Sequence, residues 1–185
     1  MLRGELYLFS SPQIVEDRDQ CKAALRAFND AEAIGCSPEE QTRMLREILD
    51  PPSARPPNAP ARGYLGRNVC VDAPFSCKYG YNLSIGDDTC IARNCTIVDP
   101  VAVTIGARCM IGPNVDIYGG TASTNMRDRN GARGAVYGCT VKIEEDVFVG
   151  GRAVILPGVT IGRGSTVGSA SVVTKVRLMQ HWGGR

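Results

Sequence analysis

Eight cysteines and a single histidine are the residues of this 185-residue chain best suited by type to nucleophilic or metal chemistry. Their spacing argues against both. No two cysteines stand as Cys-x-x-Cys, and His181 lies too far along the chain to activate a thiol or complete a zinc shell. Cys90, Cys95 and Cys109 fall inside short repeats and read as small apolar packing residues, so no metal site is expected. The other groups with chemical reach are the amide and carboxylate of Asn94 and Asp99, and a polar stretch with Asn125, Asp128 and Arg129. Such side chains can act as acid, base or hydrogen-bond partner. Asp99 could equally cap the turn at Pro100, and Arg127-Asp128-Arg129 could be a solvated run of charge.

The elements that must position these groups are legible from caps and periods. Ser11-Pro12 is a helix start, with proline at the first helical position, and it places Cys21, Ala24, Leu25 and Phe28 on one face. A second start at Ser37-Pro38-Glu39-Glu40 has the capping-box pattern, followed by the stripe Met44, Leu45, Ile48 and Leu49. Two short helices are expected within residues 12 to 49. The proline-rich run from Pro51 to Pro60 continues neither and reads as a linker.

Beyond the linker the apolar period becomes six. Ile85, Ile91 and Ile97 keep it, then Ile105, Ile111 and Ile117, then Ile143, Val149, Ile155, Ile161, Val167 and Val173, often with glycine directly after. A helix repeats at 3.6 and a strand at two, so a period of six predicts a parallel β-helix, one hexapeptide per side of a triangular coil. The register breaks twice. Two extra residues near Asp99-Pro100 predict a small bulge. A long excursion over residues 118–141 predicts a loop of the length that usually carries function.

The charge balance, +2 from 21 basic and 19 acidic residues, has no block of one sign, which argues against nucleic acid as partner. The first residues lack an apolar leader core, and no run of about 18 apolar residues offers a membrane span. A cytoplasmic, non-membrane protein is expected.

Several segments together resemble the maltose and galactoside O-acetyltransferase group of hexapeptide-repeat acyltransferases, including fungal relatives. They are Met1-Leu2-Arg3-Gly4-Glu5-Leu6-Tyr7, Tyr79-Gly80-Tyr81-Asn82, Asn94 to Asp99, Ile111-Gly112-Pro113-Asn114-Val115, Ile155 to Gly162 and Ser171 to Lys175. The resemblance implies a mainly β fold, a left-handed parallel β-helix over residues 61–185 with a short helical segment and proline-rich linker in residues 1–60. It also implies a homotrimer with active sites between neighbouring subunits. In that family a histidine on the long loop acts as general base on a hydroxyl that attacks acetyl-CoA. Here its place falls on Ala122, followed by Ser123. The asparagine that helps hold the acceptor falls on Ala92, and a short polar or acidic residue falls on Lys78.

Three polar positions of one cleft have therefore changed together. The chain also ends soon after Lys175, without the family's further coenzyme-binding stretch; Gly151, Ser169, Thr174 and Lys175 remain as candidates to bind coenzyme A. The resemblance makes acetyl-CoA the cofactor to consider and a small molecule the substrate. The expected chemistry is an isomerisation, cyclisation or elimination served by Lys78, Asn94, Asp99, Tyr118 and Asp128. Two alternatives stand beside it: O-acetylation with an unusual base such as Asp128, and a non-catalytic trimeric binding protein. His181 reads as a solvated tail residue.

Overall fold

The computed structural model describes residues 6–7, 11–51, 63–129, 131, 134 and 136–174, with only the backbone of residues 6, 7, 32 and 128. The proline-rich stretch from residue 52, Lys175 and His181 lie outside the described residues, as does the side chain of Asp128.

Proline supplies the first residue of both helices. The first, α1 (Pro12–Ala33), buries Cys21, Leu25 and Phe28; the second, α2 (Pro38–Leu49), buries Leu45, Ile48 and Leu49. Ser37 is the N-cap of α2, its hydroxyl accepting the Glu40 N–H at 3.2 Å. The two helices pack on each other and on the first coil, closing the end of the core that would otherwise meet water.

The rest is a left-handed parallel β-helix of about five turns. Its first face stacks β2 (Tyr64–Leu65), β5 (Leu83–Ile85), β8 (Val103–Ile105), β13 (Val141–Ile143) and β16 (Thr160–Ile161). The second stacks β3 (Cys70–Val71), β6 (Cys90–Ile91), β9 (Met110–Ile111), β14 (Phe148–Val149) and β17 (Thr166–Val167). The third stacks β4 (Phe75–Cys77), β7 (Cys95–Val98), β10 (Asp116–Tyr118), β15 (Val154–Ile155) and β18 (Val172–Val173). All pairings within these faces are parallel and in register, so Cys77, Ile97, Ile117 and Ile155 form one inward column, and Val71, Ile91, Ile111 and Val149 another. Each fully buried isoleucine contributes about 1.5–3 kcal/mol of transfer free energy, and the columns repeat that gain coil after coil.

The register begins one coil earlier than Ile85. Leu65, Val71 and Cys77 are its first turn, with Leu65 paired to Ile85. The expected bulge at Asp99-Pro100 is a wide corner between the third and first faces, repeated directly below between Cys77 and Leu83. Corners between the second and third faces are tight, and their last residue enters the left-handed region: Asn94 (φ 60°), Asn114, Arg152 and Ala170. The long excursion carries secondary structure of its own. Its strand β11 (Gly120–Ala122) pairs antiparallel with β12 (Val136–Gly138), and β12 pairs with an N-terminal strand, β1 (Leu6–Tyr7). A short helix, α3 (Met126–Arg129), lies between them.

Candidate active site

The wide corner between the third and first faces gathers three of the residues expected to do chemistry. Asp99 is fully buried, and its Oδ1 accepts the backbone N–H groups of Lys78 and Tyr79, each at 2.9 Å. Asn82 completes the staple by donating to the Asp99 carbonyl at 2.8 Å. One corner thereby holds the one below it. Among the described residues nothing hydrogen-bonds to Oδ2 of Asp99. Burial pushes this carboxyl up to about 6, against the backbone N–H groups of Tyr79 and Lys78, which favour the charged form.

Lys78 stands on that corner half-buried, its Nζ 5.6 Å from the centroid of the Tyr79 ring. Burial lowers its ammonium from the ordinary lysine value, the positive charge of Arg18 lowers it further, and Asp99 opposes both. Arg18, a neighbour of Lys78 through its charge, is absent from the residues that the sequence singles out. It is brought there by α1, which crosses the corner with Asp17 accepting the Tyr81 hydroxyl at 2.8 Å and Cys21 Sγ 3.7 Å from Cys77 Sγ. The signal in the sequence was its place one turn before Cys21 on the predicted buried face. No carboxylate forms an ion pair with Lys78 among the described residues.

Tyr118 ends β10 opposite Val98, the residue before Asp99, so it flanks the same corner. The chain then leaves the coil through Gly119, whose N–H meets the Val98 carbonyl at 2.7 Å, and Gly120, where a Cβ would lie 2.7 Å from Cγ of Pro100. Only glycine allows so close a departure. The ribbon that follows places Ala122 on exposed β11 opposite Val136, with Thr121 opposite Tyr137. Asn125 accepts the Arg127 N–H at 3.0 Å and Arg129 is exposed, both beyond the ribbon.

Asn94 does not join this group. It occupies the corner between the second and third faces, exposed, with its N–H bonded to the Pro74 carbonyl at 2.7 Å. The strand β7 separates it from Asp99, about 3.3 Å per residue. On Asn94's edge of the coil lie Ala92, Gly151 and Ser169. The Gly151 carbonyl accepts the Ala170 N–H at 2.9 Å, and Ser169 N would lie 2.6 Å from a Cβ on Gly150, so these two corners stack without room for a side chain. Thr174 is exposed at the end of β18, on the edge that carries Lys78 but in the last coil.

One cysteine expectation requires correction. Cys95 and Cys109 are buried, but Cys90 is exposed, because the residue before an inward aliphatic points out of the coil. Cys70 and Cys139 are exposed too. Among the described residues no group of three or more His, Cys, Asp or Glu side chains is placed to hold a metal ion, and no helix is long and apolar enough to cross a membrane.

Two family models match the chain: the maltose acetyltransferase hexapeptide capping motif over residues 1–52, and the bacterial transferase hexapeptide, six repeats, over residues 140–175. Nodulation protein L of Rhizobium meliloti is 38% identical over 160 residues, covering 86% of this chain and 78% of that protein. A maltose O-acetyltransferase from Clostridium difficile superposes with a TM-score of 0.82 at 31% identity, over 94% of this chain and 84% of the other. A hexapeptide-repeat acetyltransferase from Vibrio cholerae, solved with acetyl coenzyme A, gives a TM-score of 0.79 at 32% identity, over 95% and 86%.

Proposed function

Since this chain belongs to the hexapeptide-repeat acetyltransferases of the maltose and galactoside O-acetyltransferase group, we propose that it keeps the family frame, has given up sugar acetylation, and transforms a small anionic metabolite by isomerisation, cyclisation or elimination. The observation that carries this reading is Ala122. It stands on an exposed strand of the ribbon where the family base is expected, and the only titratable side chain described on β11 and β12 is the phenol of Tyr137, a weaker base than imidazole. A methyl group takes no proton.

The anionic character of the substrate follows from Lys78 and Arg18. Arg18 adds a second positive charge near the partly desolvated Lys78, which Asp99 only partly offsets, so an incoming carboxylate or phosphate would relieve the repulsion. Lys78 would then orient the substrate or pass it a proton, while Tyr118 and the loop side chains border it. The working cleft needs two subunits of a homotrimer, because Lys78, Asp99 and Tyr118 lie on one edge of the coil while Asn94, Gly151 and Ser169 lie on another. We place the protein in the cytoplasm.

Relatives support a second reading, residual CoA-dependent O-acetylation with Asp128 as base, since a galactoside acetyltransferase of similar fold was solved in complex with coenzyme A. Acetyl-CoA would supply an activated acyl thioester. In this reading the coenzyme's extended arm would lie along the close-stacked corners at Gly151 and Ser169, with Thr174 and Lys175, later in the sequence, as further candidate contacts. Release of free thiol from acetyl-CoA in the presence of maltose or a galactoside separates the readings. The wild-type chain should stay at the rate without sugar. Ala122→His should raise the rate, with general-base catalysis contributing about 10²–10⁴-fold when the acceptor is well placed. Sugar acetylation by the wild type at an ordinary enzymatic rate would refute the first reading.

A further inference from the structure

The outward column of the second face contains three sulfur atoms in succession. Strands β3, β6 and β9 are paired so that Cys70 lies beside Cys90 and Cys90 beside Met110. Their neighbours Val71, Ile91 and Ile111 are buried, which turns all three sulfur-bearing side chains outward, and Cys70, Cys90 and Met110 are exposed. We propose that Cys70 and Cys90, backed by Met110, form a surface site for one soft monovalent metal ion, Cu(I), independent of the cleft chemistry.

Three observations converge on this assignment. Parallel strands are spaced by about 4.8 Å, and two metal–sulfur bonds of about 2.3 Å each span about 4.6 Å, so a linear dithiolate bridge needs no movement of the coil. The donor set is soft throughout, two thiols and a thioether, the kind that selects Cu(I). A structural zinc would require four ligands, and no trio of His, Cys, Asp or Glu among the described residues is placed to hold an ion. The Cys70 thiol lies 3.8 Å from Oδ1 of Asp72. Burial, then the Asp72 carboxylate and the Cys90 thiol, raise Cys70 above the ordinary thiol value, so the two sulfurs are near enough to sense each other, and coordination as thiolates requires each thiol to give up its proton. Binding therefore exchanges one Cu(I) for two protons with no change of oxidation state, and it weakens as pH falls.

The test is anaerobic titration of the full-length protein with Cu(I) against bicinchoninate as competing chelator, with proton release followed in weak buffer. One copper per chain and two protons per copper are expected. Cys70→Ser and Cys90→Ser should each abolish binding while the melting curve stays unchanged, since both positions face outward. Met110→Leu should weaken binding by about tenfold, the size typical when a supporting partner of a metal site is removed. Cys36→Ser and Cys139→Ser should bind as the wild type does. Absence of binding by the wild type, copper retained by Cys90→Ser, or copper lost with Cys139→Ser would each overturn the site. An unchanged affinity in Met110→Leu would remove Met110 from it.

Discussion

Asp99 shows how a residue of catalytic type can be consumed by the fold. Its carboxylate organises the corner that presents Lys78, and burial leaves it no surface on which to touch a substrate within its own chain. The consequence is a pH dependence of stability with a definite sign. A carboxyl raised from 3.8 to about 6 binds its proton more tightly folded than unfolded, so its contribution is fully present below about pH 4 and is lost as pH rises through 6. The shift amounts to roughly 3 kcal/mol in all, of which about 2 kcal/mol falls between about pH 4.5 and pH 7. Asp99→Asn keeps an acceptor for Lys78 N and Tyr79 N but cannot ionise. Urea unfolding at the two pH values should show that variant with a stability difference smaller than wild type by about that amount; an unchanged difference would mean that Asp99 is ionised throughout.

The corners and strands show why the fold was legible and the site less so. Ser11-Pro12 and Ser37-Pro38 announced both helices, because caps and prolines act locally. The period of six announces the coil, although its first turn, Leu65, Val71 and Cys77, contains no isoleucine-glycine pair and so gives a weaker signal. The ribbon joining β1 to β12 had no local signal, since Leu6 and Tyr137 meet only in the fold. Residue type places Cys90 inside, whereas its parity relative to the buried Ile91 places it outside, where the structure has it. Asn94 looked chemical, yet its backbone sits at φ 60° in a series with Asn114, Arg152 and Ala170 at the same edge. Asparagine tolerates that conformation, and a branched residue does not. Thermal unfolding should therefore find Asn94→Gly close to wild type and Asn94→Val less stable by about 1–2 kcal/mol. Equal stability of the two variants would leave the corner without a conformational demand and return Asn94 to the chemical candidates.

At the scale of the whole molecule, the coil divides the candidate residues between two edges. Lys78, Asp99, Tyr118 and the ribbon with Ala122 project from the corner between the third and first faces, whereas Ala92, Asn94, Gly151 and Ser169 line the corner between the second and third. The third face lies between them, and its strands make the edges too far apart for one small molecule to touch both. A parallel coil is rigid along its axis, so no hinge within the chain could fold one edge onto the other. A second copy can supply the missing edge, and cyclic symmetry repeats the arrangement until the ring closes; three copies close it if each presents one edge to each neighbour. Sedimentation equilibrium at micromolar concentration should accordingly give three times the 19.8 kDa chain mass. Lys78→Met should sediment identically while losing retention of a small dicarboxylate such as succinate in equilibrium dialysis, because it removes a cation from one edge without touching the packing of the coil. A monomer would leave each edge exposed alone and would sink the two-subunit cleft, whereas a trimer that holds the dicarboxylate equally well with Met at this position would keep the assembly and move the anion elsewhere.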